Sequence, residues 1–292
     1  MVGYVTAAGQ ADRTLTLGPS GDDPVTVHRM GFGAMRVTGQ GIWGPPADRS
    51  AAVAVLRRAV ELGVDFVDTA DSYGPHVSEE IIREALHPYD GVVVATKGGL
   101  LRTGPGRWHV LGEPNYLRQC VELSLRRLGV ERIDLYQLHR VDDRYPLEDQ
   151  VGVLVDMARE GKIRHIGLSE VDLDTLDAAA RLTPVVSVQN IYNCANRTHE
   201  AVLAGCEDRS VAFIPWYPIA GGDLVKPGGP LATLAEQAGT TVAQLCLAWL
   251  LRRSPWMLPI PGTGSLPHLE ENMRAVDVAL ADEQWATLDA LG

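Results

Sequence analysis

Cysteine is scarce. The 292 residues include only Cys120, Cys194, Cys206 and Cys246, with no C-x-x-C pair. That spacing excludes a disulfide framework and a thiolate zinc site. The eight histidines form no H-x-H or H-E-x-x-H pair, so no metal site is predicted. No run reaches the ~18 consecutive apolar residues of a membrane span. The start, MVGYVTAAGQADR, lacks the basic stretch and apolar core of a secretory leader, which predicts a cytoplasmic protein. Positive charge is also short: 26 Lys and Arg face 37 Asp and Glu, a formal net charge of −11. A surface of that sign argues against nucleic acid and anionic membrane as partners. No G-x-G-x-x-G joins a strand to a helix, and Gly31-Phe32-Gly33 is too short to count, so a Rossmann dinucleotide site is unsupported.

What is present is a regular beat. Residues 1–12 are small and polar and read as a flexible tail, leaving 13–292 as one domain. Alternating residues at 14–17 and 25–27, around a turn-rich 18–24, predict an N-terminal β-hairpin. Eight short apolar runs follow, at 30–35, 64–69, 92–97, 134–139, 163–169, 186–190, 211–216 and 257–261. Between them lie amphipathic helical patterns, among them 48–62, 115–128, 147–160 and 241–252. Gly63, Gly129 and Gly161 follow helix ends, where a left-handed cap favours glycine. Strand–helix alternation of this length predicts an α/β fold, a (β/α)₈ TIM barrel with the hairpin ahead of it. The stretch 98–114 lacks periodicity and is expected to be a loop serving as a lid.

In such barrels the C-terminal strand ends carry the chemistry. Here they carry Asp68, Lys97, His139, Ser169, Gln189 and Asn190, and Tyr73 follows Asp68 by five residues. Each alone reads as a cap, a turn or a solvated side chain. Together they form an acid–base set. A phenol is a poor acid at neutral pH, and a neighbouring ammonium lowers its pKa. Lys97 is expected to do this to Tyr73, Asp68 to hold Lys97, and His139 to bond a substrate oxygen.

These segments resemble the aldo-keto reductase family: GVDFVDTADSYG (63–74), ATKGG (95–99), LHR (138–140), GLSE (167–170), VQNIYN (188–193) and PIPGTGSLPHLEEN (259–272). The matches run in order over roughly residues 25–290. The resemblance implies that Asp68, Tyr73, Lys97 and His139 are a catalytic tetrad with Tyr73 as proton donor. It implies NADPH as cofactor, with Gly262, Thr263, Gly264, Ser265 and His268 around the 2′-phosphate and Glu271 with Asn272 at the adenine. A glycine-rich turn opening a helix suits an anion in any case. It further implies Ser169 and Gln189 at the nicotinamide amide, Trp216 stacked on its ring and Leu224 near the pyrophosphate. Gly33, Ala34, Met35 and Asp68 complete the cofactor contacts. Gly262 and His268 stand where many members carry Lys and Arg, so NADH is admitted as an alternative. Glu170 stands where Asn often follows the serine.

A small-molecule carbonyl compound is the expected partner; the sequence sets no oligomeric state. Trp43, Trp108, Tyr192 and Trp216 are expected to line its pocket, with 36–48 and 98–114 as walls, which suits flat or apolar bodies. Arg36, Arg102 and Arg140 offer contacts to a polar substrate. Two alternatives stay open: a lyase forming a Schiff base at Lys97, and a non-catalytic nicotinamide-nucleotide sensor on the same barrel.

Overall fold

The structure is a computed structural model that describes residues 13–21, 23–219 and 226–291. The expected tail at 1–12 lies outside the described residues. The hairpin forms as expected. Strands β1 (Thr14–Leu17) and β2 (Val25–His28) pair antiparallel, with Leu15 opposite Val27 and Leu17 opposite Val25. All four of those side chains are buried.

A curled parallel sheet then winds round in sequence order. Its strands are β3 (Phe32–Gly33), β4 (Phe66–Asp68), β5 (Val93–Gly98), β8 (Ile133–Leu138), β9 (Ile163–Ser169), β10 (Val185–Gln189) and β11 (Ala212–Phe213). The eighth apolar run, 257–261, is no regular strand. Pro259 and Pro261 remove two amide donors from it. It nonetheless closes the ring: Leu258 N donates to Phe213 O (2.9 Å), Gly31 N to Pro259 O (3.0 Å) and Gly33 N to Pro261 O (3.4 Å). The seam is tight. A Cβ on Gly33 would lie 2.6 Å from Ile260 O, and one on Gly262 would lie 2.4 Å from Gly33 O.

Around the sheet run α1 (Arg49–Glu61), α2 (Val77–Leu86), α3 (Pro114–Leu128), α4 (Leu147–Arg159), α5 (Leu173–Ala180), α6 (Glu200–Arg209), α7 (Pro230–Gln237), α8 (Val242–Arg253), α9 (Leu266–Met273) and α10 (Asp282–Asp289). Local chemistry sets their ends. The Asp48 side chain accepts from Ala51 N at the start of α1, Glu113 from Tyr116 N at α3, and Thr241 with Gln244 forms a capping box at α8. Gly129 ends α3 at φ +75°.

Alternation along the strands makes two cores. One lies between sheet and helices. The other fills the barrel: Phe66, Ala95, Leu135, Ala212, Ile214, Leu258 and Ile260 pack with Leu15, Leu17, Val25 and Val27 of the hairpin. The hairpin therefore plugs one end, and the polar strand ends face the other.

The stretch 98–114 corrects an expectation. It is not an irregular loop but a hairpin of β6 (Leu100–Gly104) and β7 (Arg107–Val110), turned at Pro105-Gly106. Its residues alternate too weakly in polarity to show this in the sequence.

Candidate active site

The barrel's apolar filling sets the floor of the site. Phe66, Ala95 and Leu135 point inward, so two residues later Asp68, Lys97 and Gln137 do as well. Asp68 becomes a hub. Its Oδ2 accepts from Lys97 Nζ at 2.6 Å, and its Oδ1 accepts from the Gln137 and Gln189 amides at 3.0 and 2.9 Å. Lys97 also donates to Thr69 O at 2.8 Å. Each of these groups is buried, and they bond chiefly to one another.

Tyr73 hangs over this floor from the loop after β4. Asp71 N donates to Lys97 O (3.1 Å) and Tyr73 N to Ala70 O (3.1 Å), which folds the loop back on the barrel. Gly74 completes the bend at φ +108°; a Cβ there would sit 2.4 Å from Val77 Cβ. Only glycine permits that approach. Lys97 Nζ lies 5.3 Å from the Tyr73 ring centroid. The His139 ring meets Tyr73 edge-on at 6.0 Å, and Ser72 Oγ lies 3.4 Å from His139 Nδ1. The four side chains singled out in the sequence thus share one patch.

Electrostatics there depart from the expectation in one respect. Burial raises the Tyr73 pKa, and the pull of Lys97 only partly offsets it, with Asp68 adding to the rise. Tyr73 therefore holds its proton more firmly than a free phenol. Burial, helped by Lys97 and Arg140, drives the His139 pKa well below its ordinary value, so the imidazole is neutral.

Arg140 extends the patch along the rim, donating to His139 O (2.6 Å) and Ser169 Oγ (3.0 Å). The Gln189 amide nitrogen is committed to Asp68. Glu170 was passed over in the sequence as a mere departure, yet it anchors two groups. Its Oε1 accepts from Ile191 N at 2.7 Å and from the Trp216 indole N–H at 2.5 Å. The only sequence signal was a carboxylate two strands from an indole. Gln137 was also missed; its signal was its place two residues before His139, on the same inward face.

The segment after 257–261 leads into α9. Ser265 caps this helix without a side-chain hydrogen bond, and no acidic residue stands in its first turn. Ser265 N bonds instead to Thr263 Oγ1 at 3.0 Å. Gly262, Gly264 and His268 are exposed, while Thr263 and Asn272 are buried and Glu271 is half-buried. A helix start with no side-chain cap and no carboxylate in its first turn suits an anion, with Pro267 there supplying no N–H. The half-buried Trp216 ring is held by Glu170, and its backbone bridges to Ile191 beyond β10. These residues fit a dinucleotide. Gly33 and Gly262 carry a second duty, the backbone contact of the seam. Ala34 lies fully buried beside Gly33, and half-buried Met35 follows it. Leu224 lies outside the described residues.

The walls bring two corrections. Tyr192 does not line the cleft. It is fully buried, stacked on Trp249 of α8 at 5.8 Å, with its hydroxyl bonded to Glu200 of α6 at 2.5 Å. It belongs to the core between sheet and helices, because β10 residues alternate faces and the chain beyond it follows suit. Arg102 offers nothing to a substrate, since its five donors all reach backbone carbonyls. Trp43 and Trp108 do stand near the patch: Trp108 meets Tyr73 edge-on at 6.4 Å, and Trp43 pairs with Gly74. Arg36 is exposed on the turn after β3.

Comparison with known proteins follows the same outline. A model described as the aldo/keto reductase family matches residues 29–292. An uncharacterised oxidoreductase of Schizosaccharomyces pombe is 52% identical over 98% of this chain and 94% of its own. A pyridoxine 4-dehydrogenase of Escherichia coli is 40% identical over 96% of this chain and 99% of its own. Among solved structures, an aldo-keto reductase from Klebsiella pneumoniae in complex with NADPH superposes with a TM-score of 0.80 at 29% identity, covering 96% of this chain and 94% of that one.

Proposed function

The chain belongs to the aldo/keto reductase family and is an oxidoreductase, and we infer that it reduces an aldehyde or ketone to an alcohol with NADPH. When bound, the dihydronicotinamide supplies the hydride. The Klebsiella relative holding NADPH supports the choice of nucleotide, as does the uncapped start of α9. Ser265, with the exposed Gly262, Gly264 and His268 around it, would hold the phosphate end, and Trp216 the ring.

The protein's own part is proton management and placement. Tyr73 keeps its proton through the neutral range and gives it to the carbonyl oxygen as that oxygen gains charge. The neutral imidazole of His139 offers that oxygen a second hydrogen bond. Lys97 lies within 5.3 Å of the ring and steadies the phenolate left behind. Asp68 holds Lys97 in place, and the two glutamines hold Asp68. The observation that carries the reading is this buried Tyr73–Lys97–Asp68 line beside His139.

The walls narrow the substrate. Indoles at Trp43 and Trp108 suit a flat ring. The name of the E. coli relative makes pyridoxal, the 4-aldehyde of pyridoxine, the first compound to try. A Schiff-base role for Lys97 lacks support: the amine is fully buried and donates to Asp68 and Thr69 O.

The test is loss of NADPH absorbance, and separately of NADH, against pyridoxal and a panel of aldehydes and ketones. Tyr73→Phe is expected to lower turnover by about 100-fold or more while NADPH still binds. Normal turnover in that variant would overturn the proton-donor role.

A further inference from the structure

Arg102 of β6 is only 9% exposed, burial depresses its pKa, and no carboxylate pairs with it among the described residues. A buried guanidinium without a counter-ion needs its five N–H groups satisfied by other acceptors. Here every one is. Nε donates to Arg107 O (3.0 Å). Nη1 donates to Ile42 O (2.7 Å) and Ser72 O (2.9 Å). Nη2 donates to Gly41 O (3.0 Å) and Gly104 O (3.4 Å).

Those carbonyls belong to three separate pieces of chain: the turn at 39–44, the loop carrying Tyr73, and the β6–β7 hairpin. The same group lies 3.6 Å over the Trp108 ring and 5.7 Å from that of Trp43. One residue thus joins both indoles to the backbone beside Tyr73. The join holds the turn in an unusual shape. Ile42 sits at φ +55°, a conformation a β-branched residue rarely adopts. Its carbonyl is gripped by Arg102 and by the Gly74 amide at 3.3 Å. Loops fixed in advance lose less freedom when a ligand docks.

We propose that Arg102 is a positioning residue that sets a preference for flat aromatic carbonyl substrates, by holding Trp43 and Trp108 as one wall beside Tyr73. This rests on the reductase reading above. Lysine cannot replace it, because an ammonium lacks the planar fork that spans five acceptors.

The experiment compares the intact chain with Arg102→Met, Arg102→Lys and Trp108→Ala, following NADPH consumption with benzaldehyde and with propanal. The readout is the ratio of kcat/KM for the aromatic over the small aldehyde. It is expected to fall by about 10-fold or more in both Arg102 variants, chiefly through the KM for benzaldehyde. Trp108→Ala keeps Arg102 and its backbone contacts, so it reports on the wall even where an Arg102 variant fails to fold; its ratio is expected to fall too. An unchanged ratio in Trp108→Ala or in a folded Arg102 variant overturns the inference, as does an equal loss on both aldehydes. A wild type that consumes NADPH with neither aldehyde nor with any other carbonyl overturns the reductase reading, and the inference with it.

Discussion

Lys97 donates to Asp68 at 2.6 Å, and neither side chain reaches solvent. A buried ion pair is costly to break from one side, because the remaining charge stays in a poor solvent. Lys97→Met is therefore expected to lower unfolding free energy by about 3–5 kcal/mol. The double variant Lys97→Met with Asp68→Asn should recover part of that loss, since Asn carries no charge. Urea denaturation of the three proteins measures both effects; a double variant less stable than Lys97→Met would contradict the account.

Acid–base behaviour follows from the same patch. Tyr73 must be protonated to donate, and its pKa is raised. His139 must be neutral to act as described, and its pKa is depressed. Carbonyl reduction should therefore stay level from about pH 6 to pH 9 and decline only as the phenol ionises, above its ordinary value of about 10. A fall in kcat/KM near pH 6.5 that disappears in His139→Asn would show that the imidazole titrates where the structure says it does not.

Glu170 bonds the Trp216 indole, and so sets the ring that the cofactor is proposed to meet. Charge-assisted hydrogen bonds of this kind contribute about 1.5–3 kcal/mol. Glu170→Ala is expected to weaken NADPH binding by about 10-fold, a loss near the lower end of that range. Glu170→Gln retains an acceptor oxygen for both N–H groups and should bind almost normally. Fluorescence titration with NADPH distinguishes them. Equal affinity in the alanine variant would mean that Trp216 needs no anchor, or that the cofactor does not use it.

Asp71 lies in the Tyr73 loop, fully buried, and its Oδ1 has no hydrogen-bond partner among the described residues. Burial, aided by the charge of Glu79, pushes its pKa up to about 7. The folded state thus binds the proton more tightly than the unfolded chain. Its stabilising contribution is complete below about pH 4 and is lost as pH rises through about 7, a swing of up to about 4 kcal/mol. Asp71→Asn should raise Tm relative to wild type at pH 8 and give no such gain near pH 4. Parallel melting curves would refute the assignment.

Much of this architecture was legible in the chain. Strand runs at 92–97, 134–139 and 163–169 reappear as β5, β8 and β9, because buried strands are written mostly in apolar residues. Asp68, Lys97 and His139 stood out because polar groups ending such stretches are conspicuous. The polar supports were harder to see. Nothing in the spelling of Arg102 tells that its partners are carbonyls, since a main-chain oxygen has no letter. Glu170 and Trp216 stand 46 residues apart and meet only once the sheet curls. Tyr192 misled because aromatic residues look alike whether they line a cleft or fill a core. The 257–261 run was recognisable as apolar, but its prolines leave it joined by few hydrogen bonds.

Because the seam is stitched from the two ends of the chain, order of synthesis matters. Arg29 reaches Met257 O across 228 residues, and Gly31 meets Pro259. Contacts so distant slow the search. The ring therefore cannot close until residues 257–261 have been made, which puts its final contacts at the end of synthesis.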